Sequence, residues 1–163
     1  MDFQEPKAIV PYVADVLSIT QRTRCMAAVR GKNTGPEMLL RRLLFSLGYR
    51  FRLHKTSLPG KPDIVFAGRK KVVFCHGCFW HMHDCKRGHS TPSTNSEFWQ
   101  NKRSQNVRRD ARTRESLEKM GWASEIVWEC ELGRPSHDLV LRLRAFLGPS
   151  NSGTKCPVKE QLN

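Results

Sequence analysis

The chain has 163 residues, with 28 Lys+Arg against 15 Asp+Glu, a net charge of +13 and a pI near 10.0. That length suits one domain with a real core, and 39% hydrophobic with 26% charged residues excludes a disordered chain. No apolar run approaches the ~20 residues of a spanning helix, and Asp2, Glu5 and Asp15 against Lys7 argue against a secretory signal.

The charge is uneven. Residues 19–148 carry +14 and 149–163 carry +1, whereas 1–18 carry −2. A folded region that basic points to a polyanion such as nucleic acid, and charge alone goes no further. Residues 1–17, with Pro6 and Pro11, read as a mobile N-terminal extension, and 149–163 read as a polar tail. The domain is expected over 18–148.

A first helix is expected from Thr20 to Val29, capped by Ser18 or Thr20. Thr34-Gly35-Pro36-Glu37 opens a second, with Thr34 as cap, Pro36 in the first turn and Glu37 at capping-box distance. Leu39, Leu40, Leu43, Leu44 and Leu47 make its apolar stripe, and Gly48 ends it. Tyr49, Phe51 and Leu53 alternate with Arg50, Arg52 and His54, the pattern of a half-buried strand. Asp63–Phe66 and Val72–Cys75, joined by a turn at Ala67–Lys71, read as a buried hairpin at mid-sheet.

Residues 76–95 lack a regular pattern but are rich in Cys, His, Trp and Phe. A long helix follows from Glu97 to Met120, with Trp99, Val107, Ala111 and Leu117 expected to face the core. Ala123–Trp128 is the last strand, and Ser136 caps a closing helix that packs Leu139, Leu143 and Phe146 inward. The order predicts an α/β fold, a mixed sheet with helices on its faces.

The segment CHGCFWHMHDC, residues 75–85, holds three Cys and three His, and Cys130 returns after the last strand. Without an export signal, the six cysteines suggest thiols or metal ligands rather than disulfides. Three thiolates and one imidazole would close a tetrahedral Zn²⁺ site, and spacing alone leaves His81 and His83 as alternatives for the imidazole. The plainer alternative is a loop of free thiols and surface histidines.

In LPGKPDIVF, residues 58–66, Asp63 places a carboxylate at a strand end beside a loop, where metal-dependent nucleases hold Mg²⁺. The acid and Lys that many such enzymes carry on the next strand are missing from Val73-Phe74-Cys75-His76. The helix segment 101–114 carries Lys102, Arg103, Arg108, Arg109, Arg112 and Arg114 around one acid, Asp110, which shares a face with Asn106. Those cations suit phosphates or a solvated face, and Asp110 alone suggests a helical salt bridge to Arg114. Phe79 and Trp80 either wedge between base pairs or cover the metal loop.

Taken together, LPGKPDIVF, HGCFWHMHDC, TNSEFWQNK, NVRRDARTRESLEKMGW and IVWECEL resemble the very short patch repair DNA mismatch endonucleases, over Thr20 to Leu132. The resemblance implies a restriction-endonuclease-like mixed β-sheet flanked by helices, a structural Zn²⁺ and a catalytic Mg²⁺. It implies nicking of one strand beside the T of a T·G mismatch left by 5-methylcytosine deamination. By motif, Asp63 corresponds to the Mg²⁺-binding acid, with the main-chain carbonyl of Cys75 as second ligand. His81 corresponds to the residue that activates water, His76 and Asp110 to further active-site positions, and Glu37 to an acid near the metal's waters. Cys78, His83, Cys85 and Cys130 match the zinc ligands, while Phe79, Trp80 and Met26 match residues that insert into the duplex. Lys102, Arg108, Arg109 and Arg112 are expected on the DNA backbone.

The resemblance also implies a monomer in the cytoplasm, associated with the nucleoid, with mismatch-repair proteins and a cytosine methyltransferase as functional partners and no membrane. A zinc-stabilised nucleic-acid-binding module would explain the charge, aromatics and Cys/His cluster. It gives no reason for Asp63, Asp110 and His81 to occur together. A less specific nuclease of the same fold is the other alternative.

Overall fold

The computed structural model describes residues 33–150 together with Ser18, Thr20, Gln21 and Arg24. The expected helix at 20–29 falls largely outside them, as do Met26, Cys25 and Cys156. At its start, Ser18 Oγ accepts from the Gln21 N–H at 3.2 Å and Gln21 Oε1 accepts from the Ser18 N–H at 2.8 Å. That exchange is a capping box with Ser18 as the cap.

The elements are α1 (Gly35–Ser46), β1 (Arg52–Leu53), β2 (Ile64–Phe66), a 3-10 turn (Ala67–Arg69), β3 (Lys71–His76), α2 (Ser96–Lys119), β4 (Ala123–Trp128), α3 (Glu129–Leu132) and α4 (His137–Leu147). The strands form one sheet in the order β1-β2-β3-β4. β2 pairs antiparallel with β1 and β3, whereas β4 runs parallel to β3 from Lys71↔Ala123 to His76↔Trp128. A parallel pair needs a crossover, which α2 supplies.

Alternation along the central strands sends side chains to two cores. Ile64, Phe66, Val73 and Val127 pack with Leu40 and Leu44 of α1, Leu132 of α3, and Leu139, Leu143 and Leu147 of α4. Val65, Val72 and Phe74 turn the other way, onto Leu58 and Leu117 of α2. The sheet therefore lies between helices on both faces. At the end of β3, Cys75 packs on the first core, and the next residue, His76, belongs to the opposite face.

Thr34 caps α1, its Oγ1 accepting from the Glu37 N–H at 3.4 Å. The Glu37 carboxylate accepts from the Asn33 N–H at 3.0 Å, one residue earlier than a standard capping box. In the stripe, Leu40 and Leu44 are buried while Leu39 stays 42% exposed. Cations close α4: Lys71 Nζ donates to the Phe146 carbonyl at 2.5 Å, and Arg69 donates to those of Leu147 and Pro149, each at 2.6 Å. These satisfy carbonyls that a helix end leaves without partners.

Two expectations need correcting. The Tyr49–His54 segment is strand only at Arg52–Leu53, because Tyr49 leaves the ladder to pack in the core and donate its hydroxyl to Gly148 O at 2.6 Å. On α2, only Arg103 and Leu117 are buried; Val107 is 41% exposed and Ala111 is exposed. The helix touches the sheet near its C-terminal end, while its first half supports the irregular loop that follows β3.

Candidate active site

The loop between β3 and α2 has almost no regular structure, so polar contacts fix it. Arg103, 5% exposed, donates to the carbonyls of Phe79 at 2.6 Å, Ser90 at 3.1 Å and Gly88. One guanidinium thus joins three points of the loop, and its fixed fork of donors suits that task. Asn106 Nδ2 donates to the Trp80 carbonyl at 3.1 Å. At Gly88, a Cβ would collide with the main chain of His83, so only glycine closes this turn.

The first donor cluster is Cys78, His83, Cys85 and Cys130, one ligand atom from each within 4.8 Å of the others. Three sulfurs and an imidazole nitrogen form a tetrahedral zinc-type set. His83 stacks on Trp128 at 4.2 Å with an 18° interplanar angle, which orients the imidazole. His81 is outside this set; the histidine brought beside the three cysteines is His83. Burial pushes the Cys78 thiol up to about 12, while the Gly88 N–H, as the largest influence, brings Cys85 down to about 6. A cysteine with that environment is a ready thiolate ligand.

The second cluster is His76, His81 and Asp110. His81 Nδ1 lies 2.5 Å from Asp110 Oδ2, and the His76 and His81 rings stack at 3.8 Å with a 13° angle. Asp110 therefore pairs across the loop with His81 rather than along the helix with Arg114. His76 is 7% exposed, and burial first, then repulsion from His81, lowers its pKa to about 4. Its Nδ1 is 4.0 Å from Asp110 Oδ2 and has no hydrogen-bond partner. A buried nitrogen of that kind is expected to serve a bound group or water.

The third cluster is Glu37, His54 and Asp63. The Cys75 N–H donates to Asp63 Oδ2 at 2.8 Å, fastening the acid to the end of β3. Burial raises the Asp63 pKa; that hydrogen bond, His54 and Arg41 act against the rise, and Glu37 adds to it. Two carboxylates beside a strand end fit a hard, oxygen-seeking cation. Burial pushes the Cys75 thiol up to about 12, which leaves it inert at neutral pH. The second and third clusters converge on consecutive residues, with the Cys75 N–H holding Asp63 and His76 in the other group.

Phe79 and Trp80 meet at 5.2 Å, and Trp99 of α2 packs edge-on against both, at 6.0 and 5.8 Å. Trp99 therefore joins the aromatic group rather than the core, a correction that follows from the loop folding back onto the start of α2. Lys102 Nζ stands 5.9 Å from the Trp80 ring and 5.7 Å from those of Phe98 and Trp99, a cation–π position. Arg108, Arg109 and Arg112 are exposed on α2, and Arg109 donates to Asn106 at 3.0 Å. Arg103, by contrast, is spent on the loop and is not free for phosphate.

Sequence reasoning missed His54 and Trp99. In the sequence His54 is only the polar partner in an alternating strand, and its nearness to Asp63 arises from the pairing of β1 with β2. A tryptophan one helical turn from a run of cations was the available sign for Trp99.

Comparisons with known proteins identify the family. The family model described as DNA mismatch endonuclease Vsr matches residues 14–87. The type II nicking enzyme V.XorIIP of Xanthomonas oryzae pv. oryzae is 47% identical over 138 residues, 85% of this chain and all of that protein. V.NmeAIP of Neisseria meningitidis serogroup A is 42% identical over 74% of this chain and 85% of its own length. The DNA mismatch endonuclease Vsr of Escherichia coli is 42% identical over 74% of this chain and 76% of its own length. The likeness defines the class as a DNA endonuclease, with a mixed four-stranded α/β core and Cys/His groups able to bind metal. Within that class, the chain belongs to the DNA mismatch endonuclease Vsr family.

Proposed function

We propose that this protein nicks one DNA strand beside the T of a T·G mismatch, the product of 5-methylcytosine deamination, in very short patch repair. The observation that carries the reading is the meeting of the Asp63 and His81–Asp110 groups at Cys75 and His76 of β3. A binding module has no use for such a convergence.

Asp63, with the Cys75 main-chain carbonyl and with Glu37 close by, would hold Mg²⁺. When bound, that ion supplies positive charge to the scissile phosphate and acidifies water. His81 Nδ1 donates to Asp110, which leaves Nε2 to accept the proton of the attacking water. His76 stays neutral at pH 7, so it stacks on His81 without opposing the positive charge His81 gains. Phe79, Trp80 and Trp99, with Met26 from the N-terminal segment, open the duplex at a mispair that already stacks poorly. The bond cut is in the backbone, so base extrusion is not required. Lys102, Arg108, Arg109 and Arg112 hold phosphates.

Cys78, His83, Cys85 and Cys130 would hold a structural Zn²⁺, which would tie the loop to the segment that follows β4. The domain spans 18–148 within a restriction-endonuclease-like fold, flanked by an extension at 1–17 and a tail at 149–163. The protein acts as a monomer in the cytoplasm at the nucleoid, alongside mismatch-repair proteins and a cytosine methyltransferase. No helix among the described residues is long and apolar enough to cross a membrane. Asp63→Ala tests the reading: it abolishes Mg²⁺-dependent nicking of a T·G duplex while circular dichroism stays native. Full activity in that variant would overturn it.

A further inference from the structure

Two polar residues beside Asp63, Arg41 and the His54 of the third cluster, take no step in the chemistry above. Arg41 follows Glu37 by one helical turn, and its Nη2 donates to Glu37 Oε2 and to His54 Nε2, each at 3.0 Å. Its Nη1 donates to Asn33 Oδ1 at 2.7 Å, and the Asn33 N–H returns to the same Glu37 Oε2 at 3.0 Å. Thr34 Oγ1 donates to the other carboxylate oxygen at 3.1 Å. Glu37 is therefore held at both oxygens, although it lies only 6% exposed among groups that a free helix N-terminus would leave to water.

Arginine only donates, so His54 Nε2 accepts, and the ring proton belongs on Nδ1. The His54 N–H also reaches the Asp63 carbonyl at 3.4 Å. The backbone there is left-handed, with φ of 47°, a conformation that non-glycine residues adopt at a cost. Surroundings that hold this strain fix where the imidazole stands. The Arg41 guanidinium also opposes the mutual repulsion of Glu37 and Asp63, the two carboxylates of the pocket.

We propose that Arg41 and His54 are positioning residues of the Asp63 centre: hydrogen-bonded to each other, they lock the Glu37 carboxylate so that it and Asp63 face one divalent cation. Neither touches the reacting atoms. The inference rests on reading Asp63 as a cation ligand.

The test uses the zinc-loaded full chain, with Mn²⁺ affinity measured by electron paramagnetic resonance of the free ion. Arg41→Ala and His54→Ala weaken Mn²⁺ binding by about 10- to 100-fold, the usual effect of losing a residue that orients a metal ligand. The Mg²⁺ needed for half-maximal nicking rises in parallel, while turnover at saturating Mg²⁺ and duplex affinity in EDTA change by less than about threefold. His54→Gln restores Mn²⁺ affinity, because its amide oxygen accepts from Arg41. Wild-type Mn²⁺ affinity in both alanine variants, or a His54→Gln variant as weak as His54→Ala, overturns the proposal. Asp63→Ala separates the two levels: retained Mn²⁺ binding in it refutes the centre itself, whereas lost binding with unaffected alanine variants refutes only the pair.

Discussion

His81 Nδ1 and Asp110 Oδ2 approach to 2.5 Å, one from the irregular loop and the other from the middle of α2. A carboxylate on Nδ1 fixes the tautomer and aims Nε2 outward, the arrangement a general base requires. With His81 as the proposed base, His81→Ala lowers the single-turnover nicking rate by about 10²- to 10⁴-fold. Asp110→Asn retains the shape but supplies no charge, so its rate falls between those of His81→Ala and wild type. Rates unchanged in both variants would remove His81 from the chemistry.

His76 makes stability depend on pH. In the unfolded chain it binds a proton below about 6.5, but in the folded protein only below about 4. Between those values the unfolded state holds more protons, so stability falls as pH falls from 6.5 to 4 and levels off below. Urea denaturation across that window detects a loss on the order of 1–3 kcal/mol from this group. His76→Gln flattens the slope; a variant with the wild-type slope contradicts the assignment.

Cys130 sits on the four-residue helix α3, far in sequence from the other thiols, and 3.5 Å from His83 Nδ1. Cys130→Ser removes one of the four donors proposed for zinc. The purified variant then contains less than one zinc per chain by mass spectrometry and melts at a lower temperature, because the loop has little apolar packing to replace the metal. Full zinc content in the variant would count against this site.

Trp99 shows where sequence patterns stop. Its place in α2 suggested a core position, yet its neighbours are Phe79 and Trp80. Trp99→Ala weakens binding to a mismatched duplex by about 1–3 kcal/mol, roughly 5- to 150-fold, the usual loss for one base-stacking aromatic. Fluorescence anisotropy in EDTA measures it free of cleavage, and unchanged affinity would return Trp99 to a packing role.

Legibility in the sequence followed the range of the interaction. Local signals sufficed for α1, where Thr34, Pro36 and Gly48 mark the ends, and for β4 and α4, whose boundaries match their apolar periods and the Ser136 cap. Cysteine and histidine spacing marked the loop donors of the first cluster, which lie close together in sequence, whereas Cys130 reaches them from a helix distant in sequence. His54 and Arg103 were illegible for the opposite reason. A histidine in an alternating strand and an arginine in a basic helix both look like surface residues. Only the pairing of β1 with β2, and the return of the loop onto α2, give them their partners. Asp63 was visible as an acid at a strand start, but its grip on the Cys75 N–H required the β2–β3 pairing.

Strand-specific cleavage of a duplex labelled on either strand tests the proposed T·G nicking most directly. The substrates carry one T·G mismatch or the matched C·G pair in the same flanking sequence, with Mg²⁺ or with EDTA. The expected result is a single nick in the T-bearing strand beside the mismatch, in Mg²⁺ only, with the matched duplex intact. Cleavage of both strands, equal cleavage of the matched duplex, or nicking that persists in EDTA would contradict it.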